Sequence, residues 1–195
     1  MSAQQFTRIW ILPVIVLMLA CSTLTPKPAH TEAEIEKEEQ AIYSFFVGNG
    51  TGTVLLLQNT ETDISQDDPQ QTIDYVKSGL PGISRQTIDN YLERNASPSQ
   101  LAPDMDLGVK YILLTTDELA SVSSQPNWGE LLSEKYPGTR GYTIFSHVGF
   151  NSSLDQAMIY VGSVGGPMMG SGSYFLMEKK DGQWILKGQI NVWIS

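Results

Sequence analysis

The sequence has few of the residues that most often carry chemistry in proteins. It contains one cysteine, Cys21, and two histidines, His30 and His147. A single cysteine excludes an internal disulfide and a thiolate metal cluster. His147 has no second histidine in the folded part of the chain with which to share a metal ion. We therefore predict neither a metal site nor another cofactor.

Positive charges are also scarce. The chain has 12 lysine and arginine residues against 21 aspartate and glutamate residues, which gives a net charge of −9. Because an acidic domain repels phosphate backbones, we predict no nucleic-acid partner. The length of 195 residues is enough for one domain with a substantial core after a leader is removed.

Residues 1–20 are predicted to be a signal peptide. One early positive charge, Arg8, precedes an apolar run from Ile9 to Ala20 that is broken only by Pro13. A run of this length is too short to span a bilayer but is typical of the apolar core of a signal peptide.

The segment Leu17–Cys21 resembles the lipobox of bacterial lipoproteins, in which the cysteine is lipidated and becomes the first mature residue. Ala20 and Cys21 fit that motif, whereas Met18 stands where leucine is usual. The resemblance implies that Cys21 is the lipidation site and attaches the protein to a membrane. The alternative is an ordinary secreted protein in which Cys21 remains a free thiol.

The remaining chain is predicted to consist of a tether, residues 21–30, and a single α+β domain, residues 31–195. The tether contains two prolines and no large apolar cluster. Helices are expected at 31–47, 84–95 and 127–136, with shorter helical turns at 72–77 and 116–119. Early strands are expected at 54–58 and 109–114. The acidic run in the first helix is interpreted as a solvated face.

The last 55 residues predict an antiparallel sheet of about four strands, against which the N-terminal helices pack. These strands are expected at 141–150, 156–162, 173–178 and 184–194. Asp181-Gly182 is a strong signal for a tight hairpin between the last two. The last strand alternates, with Trp184, Leu186, Ile190, Val192 and Ile194 predicted on one apolar face.

The segment Gly162–Gly172 contains five glycines. We interpret it as a wide surface loop, too long for a tight hairpin. The alternative is a binding loop lined by backbone, with an adaptable apolar edge. Its candidate binding residues are Gly165, Gly166, Met168 and Met169.

His147 is predicted to be a partly exposed residue of the first C-terminal strand and is a further binding candidate. Neighbouring strand residues point to opposite faces, so Ser146 and His147 cannot pair as nucleophile and base. No catalytic residue is assigned. A hydrolase would need His147 with an acid from elsewhere, such as Asp155 or Glu178.

The C-terminal part contains the motifs Gly141-Tyr142, Phe145-Ser146, Val148–Asn151, Gln156-Ala157, Tyr160–Gly162 and Trp193–Ser195. Together these motifs resemble a group of uncharacterised bacterial exported proteins that also end in tryptophan, isoleucine and serine. The group implies no activity. Similar sequences often carry two cysteines in the glycine-rich segment, at the positions of Gly165 and Met169 here.

Together these features predict a lipid-anchored cell-envelope protein on the periplasmic or outer surface. We expect a non-catalytic binding or scaffold domain, attached to the membrane through Cys21, that contacts an envelope protein or a small ligand. The alternatives are a small envelope hydrolase that uses His147, and an inhibitor or immunity-type protein.

Overall fold

The computed structural model describes residues 30–48, 52–63 and 69–195. The predicted signal peptide, Cys21 and most of the tether lie outside the described residues. In the described part of the chain, no helix is both long enough and apolar enough to cross a membrane.

The described chain is an α+β fold with five helices, mostly in the N-terminal half, and a mixed seven-stranded sheet. This confirms the predicted fold class. The elements are α1 (Glu32–Val47), β1 (Val54–Leu57), α2 (Pro69–Gly79), α3 (Arg85–Arg94), β2 (Tyr111–Leu114), α4 (Thr116–Ser123), α5 (Trp128–Lys135), β3 (Tyr142–Phe145), β4 (Gly149–Phe150), β5 (Gln156–Gly166), β6 (Met169–Lys180) and β7 (Gln183–Ile194).

The sheet has the strand order β2-β1-β3-β5-β6-β7, and β4 pairs with β5. β1 is parallel to both β2 and β3, while the C-terminal strands are antiparallel to one another. The chain order explains the difference. Helices connect the parallel strands, which need long crossovers, whereas tight turns connect β5, β6 and β7.

Helices cover both faces of the sheet. Leu56 of β1 packs in the core beneath α1, and the neighbouring Leu57 packs in the core beneath α2 and α3. Burial on both faces is why β1 is a continuous apolar run rather than an alternating one. On the α1 face, Tyr43 stacks on Phe145 with ring centroids 4.5 Å apart.

Helix α2 is longer than the helical turn predicted at 72–77. It begins at Pro69, a residue favoured at the first helical position because its missing N–H would have no intrahelical partner there. Val76 and the following Leu80 are completely or almost completely buried. The polar residues around them hid this apolar stripe in the sequence.

The glycine-rich segment is a tight hairpin, so the prediction of a wide loop is wrong. β5 continues to Gly166, which pairs with Met169 at the start of β6. Only Pro167 and Met168 lie between the paired positions.

The glycines of the β5–β6 hairpin allow close packing of neighbouring groups. A side chain at Gly172 would overlap the indole nitrogen of Trp193 and the hydroxyl of Tyr160, which are joined by a 2.7 Å hydrogen bond. In α5, a side chain at Gly129 would come within 2.8 Å of the Gly165 carbonyl oxygen. The glycine content therefore reflects packing against Trp193 and α5 rather than a wide connection.

Strand β7 does not keep one apolar face, because two register irregularities interrupt its pairing with β6. Each irregularity leaves one β7 residue unpaired, Lys187 or Val192, and changes the alternation. Trp184 consequently packs in the core beneath α1, whereas Ile190 packs in the core beneath α2 and α3. Leu186, which the alternation placed inside, is 44% exposed.

We predict that Gly172→Ala destabilises the fold by about 1–3 kcal/mol, because the added methyl group forces the Trp193 indole off Tyr160. Urea unfolding of the purified protein measures this change. The matched control is Gly166→Ala in the same hairpin, since a methyl group there meets nothing within 4 Å. Equal stability of the two variants would contradict the packing role of Gly172.

Candidate functional site

The predicted strand 141–150 is interrupted at residues 146–148, between β3 and β4. The backbone N–H of His147 donates to the Asn95 side chain at 2.9 Å, and its carbonyl accepts from the same amide at 3.0 Å. The Val148 N–H donates to Glu39 at 2.7 Å. Because side chains from α1 and the end of α3 take these backbone groups, His147 lies outside the regular strand. Its predicted position in a strand is therefore wrong.

Glu39 of α1 is the centre of a buried polar cluster. One of its carboxylate oxygens, Oε1, lies 3.2 Å from His147 Nδ1 and 2.7 Å from the Val148 nitrogen. The Arg94 guanidinium reaches both carboxylate oxygens at 3.1 Å. Glu39 is 7% exposed, so these contacts replace nearly all of its hydration.

The surroundings keep Glu39 ionised. Burial alone raises the pKa of a carboxyl group. The hydrogen bond with His147, the charge of Arg94 and the Val148 N–H act in the opposite direction and lower the Glu39 pKa below its ordinary value. The cluster therefore holds a buried carboxylate at neutral pH, with the Arg94 charge balancing it.

Ser99 completes the cluster on the solvent side. Its hydroxyl oxygen lies 2.5 Å from His147 Nε2. Two hydrogen bonds hold the Ser99 backbone to Thr60, three residues after β1. The Ser99 N–H donates to the Thr60 hydroxyl at 3.0 Å, and the Ser99 carbonyl accepts the Thr60 N–H at 2.8 Å. We call Ser99, His147, Glu39 and Arg94 the Ser–His–Glu cluster.

The arrangement brings a hydroxyl, an imidazole and a carboxylate into one line of hydrogen bonds. Each imidazole nitrogen has its own partner, Glu39 on Nδ1 and Ser99 on Nε2. Such a line can fix the tautomer of the imidazole and place its basic nitrogen against the hydroxyl.

The sequence alone did not identify Glu39 as a partner of His147, although it contains a signal for it. Glu39 falls at helical spacing from Ile35 and Tyr43, on the apolar stripe of α1. The interpretation of the whole acidic run as a solvated face is therefore wrong for Glu39. Ser99 lies in an irregular polar segment, and no local pattern marks it.

The acids proposed from sequence for His147 have other partners. Asp155 accepts a hydrogen bond from the Asn151 amide at 2.6 Å, and Glu178 forms an ion pair with Lys187 at 3.2 Å. The structure places Glu39 beside His147 instead. No three histidine, cysteine, aspartate or glutamate side chains of the described residues form a group that could hold a metal ion.

The other binding candidates lie together at the end of the β5–β6 hairpin. Met168 is 86% exposed and Met169 is 66% exposed. They line a shallow cleft together with Gly165 and Ile194, a residue that is itself 72% exposed. We call Met168, Met169 and Ile194 the apolar tip. The tip and the Ser–His–Glu cluster are separate sites.

Comparisons with known proteins provide no relative for this chain. No protein-family model matches it, and neither a curated protein nor a solved structure does. Functional inference therefore depends on its own residues and geometry.

We predict that Glu39→Gln lowers the free energy of unfolding by about 3 kcal/mol at pH 7, because Arg94 is left buried without its counter-charge. Urea unfolding measures the loss. The control is Glu36→Gln, an exposed position of the same helix, with an expected change within about 0.5 kcal/mol.

The pH dependence gives a second measurement of the same interaction. The folded-state pKa of Glu39 is lowered. The stability that ionised Glu39 contributes is therefore present above the unfolded-state pKa of about 4.3. This stability is lost as the pH falls through the folded-state pKa. The stability difference between wild type and Glu39→Gln should shrink below about pH 4. A difference that stays constant in acid would contradict an ionised Glu39.

Proposed function

We propose that this protein is exported, anchored to a membrane of the cell envelope by a lipid on Cys21, and binds an envelope protein through the apolar tip. The pattern of residues 1–20 and the lone cysteine after it support export and anchoring. The observation that carries the binding function is the apolar tip, three large apolar side chains exposed together at one end of the sheet.

The position of His30 supports this role for the tip. His30, at the end of the predicted tether, is bound to the Ser152 carbonyl at 3.0 Å, just before β5 begins. The tip is at the other end of β5, which is 11 residues long. A strand rises about 3.3 Å per residue, so the two ends are about 35 Å apart. A tether that joins the domain at His30 would therefore leave the tip at the end of β5 farther from the attachment point.

The chemistry of the tip favours an apolar protein segment as its partner. Methionine side chains are flexible and polarisable, and they adapt to irregular apolar surfaces. Arg140 lines the same cleft as Met168 and Met169 and adds one positive charge. An apolar segment with an acidic residue beside it would complement both features.

We predict that Cys21→Ser prevents membrane anchoring, because no other residue of the chain can take the lipid thioether. Fractionation of cells that express the full chain measures this. The variant should be recovered in the soluble fraction or as an unprocessed precursor. The neighbouring Ser22→Ala should fractionate like the wild type. Wild-type processing and membrane recovery of Cys21→Ser would overturn the anchoring proposal.

We predict that a photo-reactive amino acid at Met168 forms a discrete cross-link to an envelope protein in intact cells. The matched control is the same amino acid at Ile112, an apolar residue of β2 that is 38% exposed. Both positions are at the surface, so neither replacement should impair folding. Absence of an adduct at Met168, or identical adducts at both positions, would contradict binding through the tip.

A further inference from the structure

We propose that the Ser–His–Glu cluster is a catalytic site in which Ser99 is a nucleophile that cleaves carboxylic esters. This activity goes beyond the binding function of the apolar tip and does not depend on it. It replaces the expectation of a non-catalytic domain with a site built from residues of α1, the segment after α3 and the β3–β4 break.

The hydrogen-bond partners determine which imidazole nitrogen carries the proton. An ionised carboxylate can only accept, so the Nδ1 of His147 donates its proton to Glu39 across 3.2 Å. In the neutral ring, Nε2 then has a free lone pair, and it faces the Ser99 hydroxyl at 2.5 Å. This is the orientation in which an imidazole acts as a general base toward a serine.

Burial separates the reacting group from the groups that support it. Ser99 is exposed, so a substrate can reach its hydroxyl, whereas Glu39 is buried and the His147 side chain is only 21% exposed. Glu39 is fixed by the Val148 N–H and by Arg94, which limits rotation of the imidazole plane. Glu39 and Arg94 are thus positioning residues, and Ser99 and His147 act on the substrate.

In this proposal, the oxyanion donor is the N–H of Gln100, the residue after the nucleophile. Asn59 and Gln100 form an antiparallel bridge whose hydrogen bonds run from Thr60 to Ser99 and from Leu101 to Gln58. Gln100 therefore occupies the non-hydrogen-bonded position, and its N–H is directed away from Asn59. The N–H of the residue after a nucleophile is a common donor to the oxyanion of acyl transfer.

The reaction follows from these positions. The Ser99 oxygen forms a bond to the ester carbonyl carbon as its proton moves to His147 Nε2. The ester C–O bond then breaks, and the alcohol leaves with that proton. Water repeats the steps on the acyl-serine, so one ester and one water give one acid and one alcohol.

The Arg94 charge lowers the reaction rate that we expect of this site. It lies 3.1 Å from the carboxylate that would stabilise an imidazolium, so His147 faces an ion pair rather than a lone negative charge. We therefore expect slower reaction than a triad with an unpaired acid would support. The competing explanation is that the cluster only ties α1 and α3 to the strand break.

Covalent labelling of the full-length protein with an alkyl fluorophosphonate tests the proposal. We expect one adduct by intact mass, located on Ser99 by peptide mapping. Ser99→Ala should lose it, and Ser97→Ala, an exposed serine two residues away, should keep it. His147→Gln should label at least about 100-fold more slowly, the usual contribution of a general base. An unlabelled folded wild type, or equal labelling of Ser99→Ala, would overturn the proposal.

A second measurement remains informative if Ser99→Ala fails to fold. The thiol of Ser99→Cys should be alkylated by iodoacetamide faster than the same thiol in a background with His147→Gln, as peptide mapping of residue 99 would show. Equal alkylation rates in the two backgrounds would show that His147 does not act on the side chain at position 99, and that result would also overturn the proposal.

Discussion

The buried carboxylate of Glu39 is the constraint on which the interior of this domain depends. A charge in that position is stable only if other groups replace the water it has lost. Arg94 supplies the counter-charge, and the Val148 N–H and the His147 ring supply hydrogen bonds. Helix α1 is thereby joined to the end of α3 and to the β3–β4 break. The interruption of the strand is a consequence of this demand, because the backbone of His147 and Val148 bonds to the side chains of Asn95 and Glu39 instead of to β5.

A second constraint acts at the other end of the sheet. There the Trp193 ring fills the space that side chains at Gly170 and Gly172 would otherwise occupy. Trp193 crosses the glycines of β6, and its indole N–H donates to Tyr160 at 2.7 Å. The hairpin is therefore closely packed beside its turn. Met168 and Met169 remain outside this packing, which leaves apolar surface on a rigid support. Presenting such groups on an ordered hairpin lowers the entropy cost of binding.

These two constraints assign different tasks to different regions. His30 contacts the domain at Ser152, the apolar tip lies at the far end of β5, and the Ser–His–Glu cluster includes Glu39 of α1. The tip and the cluster share no residue, so each can be altered without the other. In the proposed functions, a partner held at the tip would leave Ser99 accessible.

Local sequence patterns determined much of the fold. The capping box of Thr31 and Glu34 begins α1, the apolar run of β1 marks a buried strand, and Asp181-Gly182 forms the β6–β7 turn with positive φ at both residues. These signals act over a few residues, so they can be read without knowledge of distant contacts. Because these signals are local, the sequence also predicted that helices dominate the first half of the chain and strands the second.

Tertiary structure alone decided the features that depend on residues far apart in the chain. Glu39, Ser99 and His147 meet only because α1, the segment after α3 and the β3–β4 break pack together, and sequence spacing contains no measure of that distance. The sequence predicts Gly172 to be a loop glycine, because no local pattern indicates that Trp193 packs against it. The β7 irregularities that send Trp184 and Ile190 into different cores arise from pairing with β6. Local sequence patterns determined most of the helices and strands. Packing over long range determined the break at residues 146–148, the extension of β5 and β6, and which side chains work together.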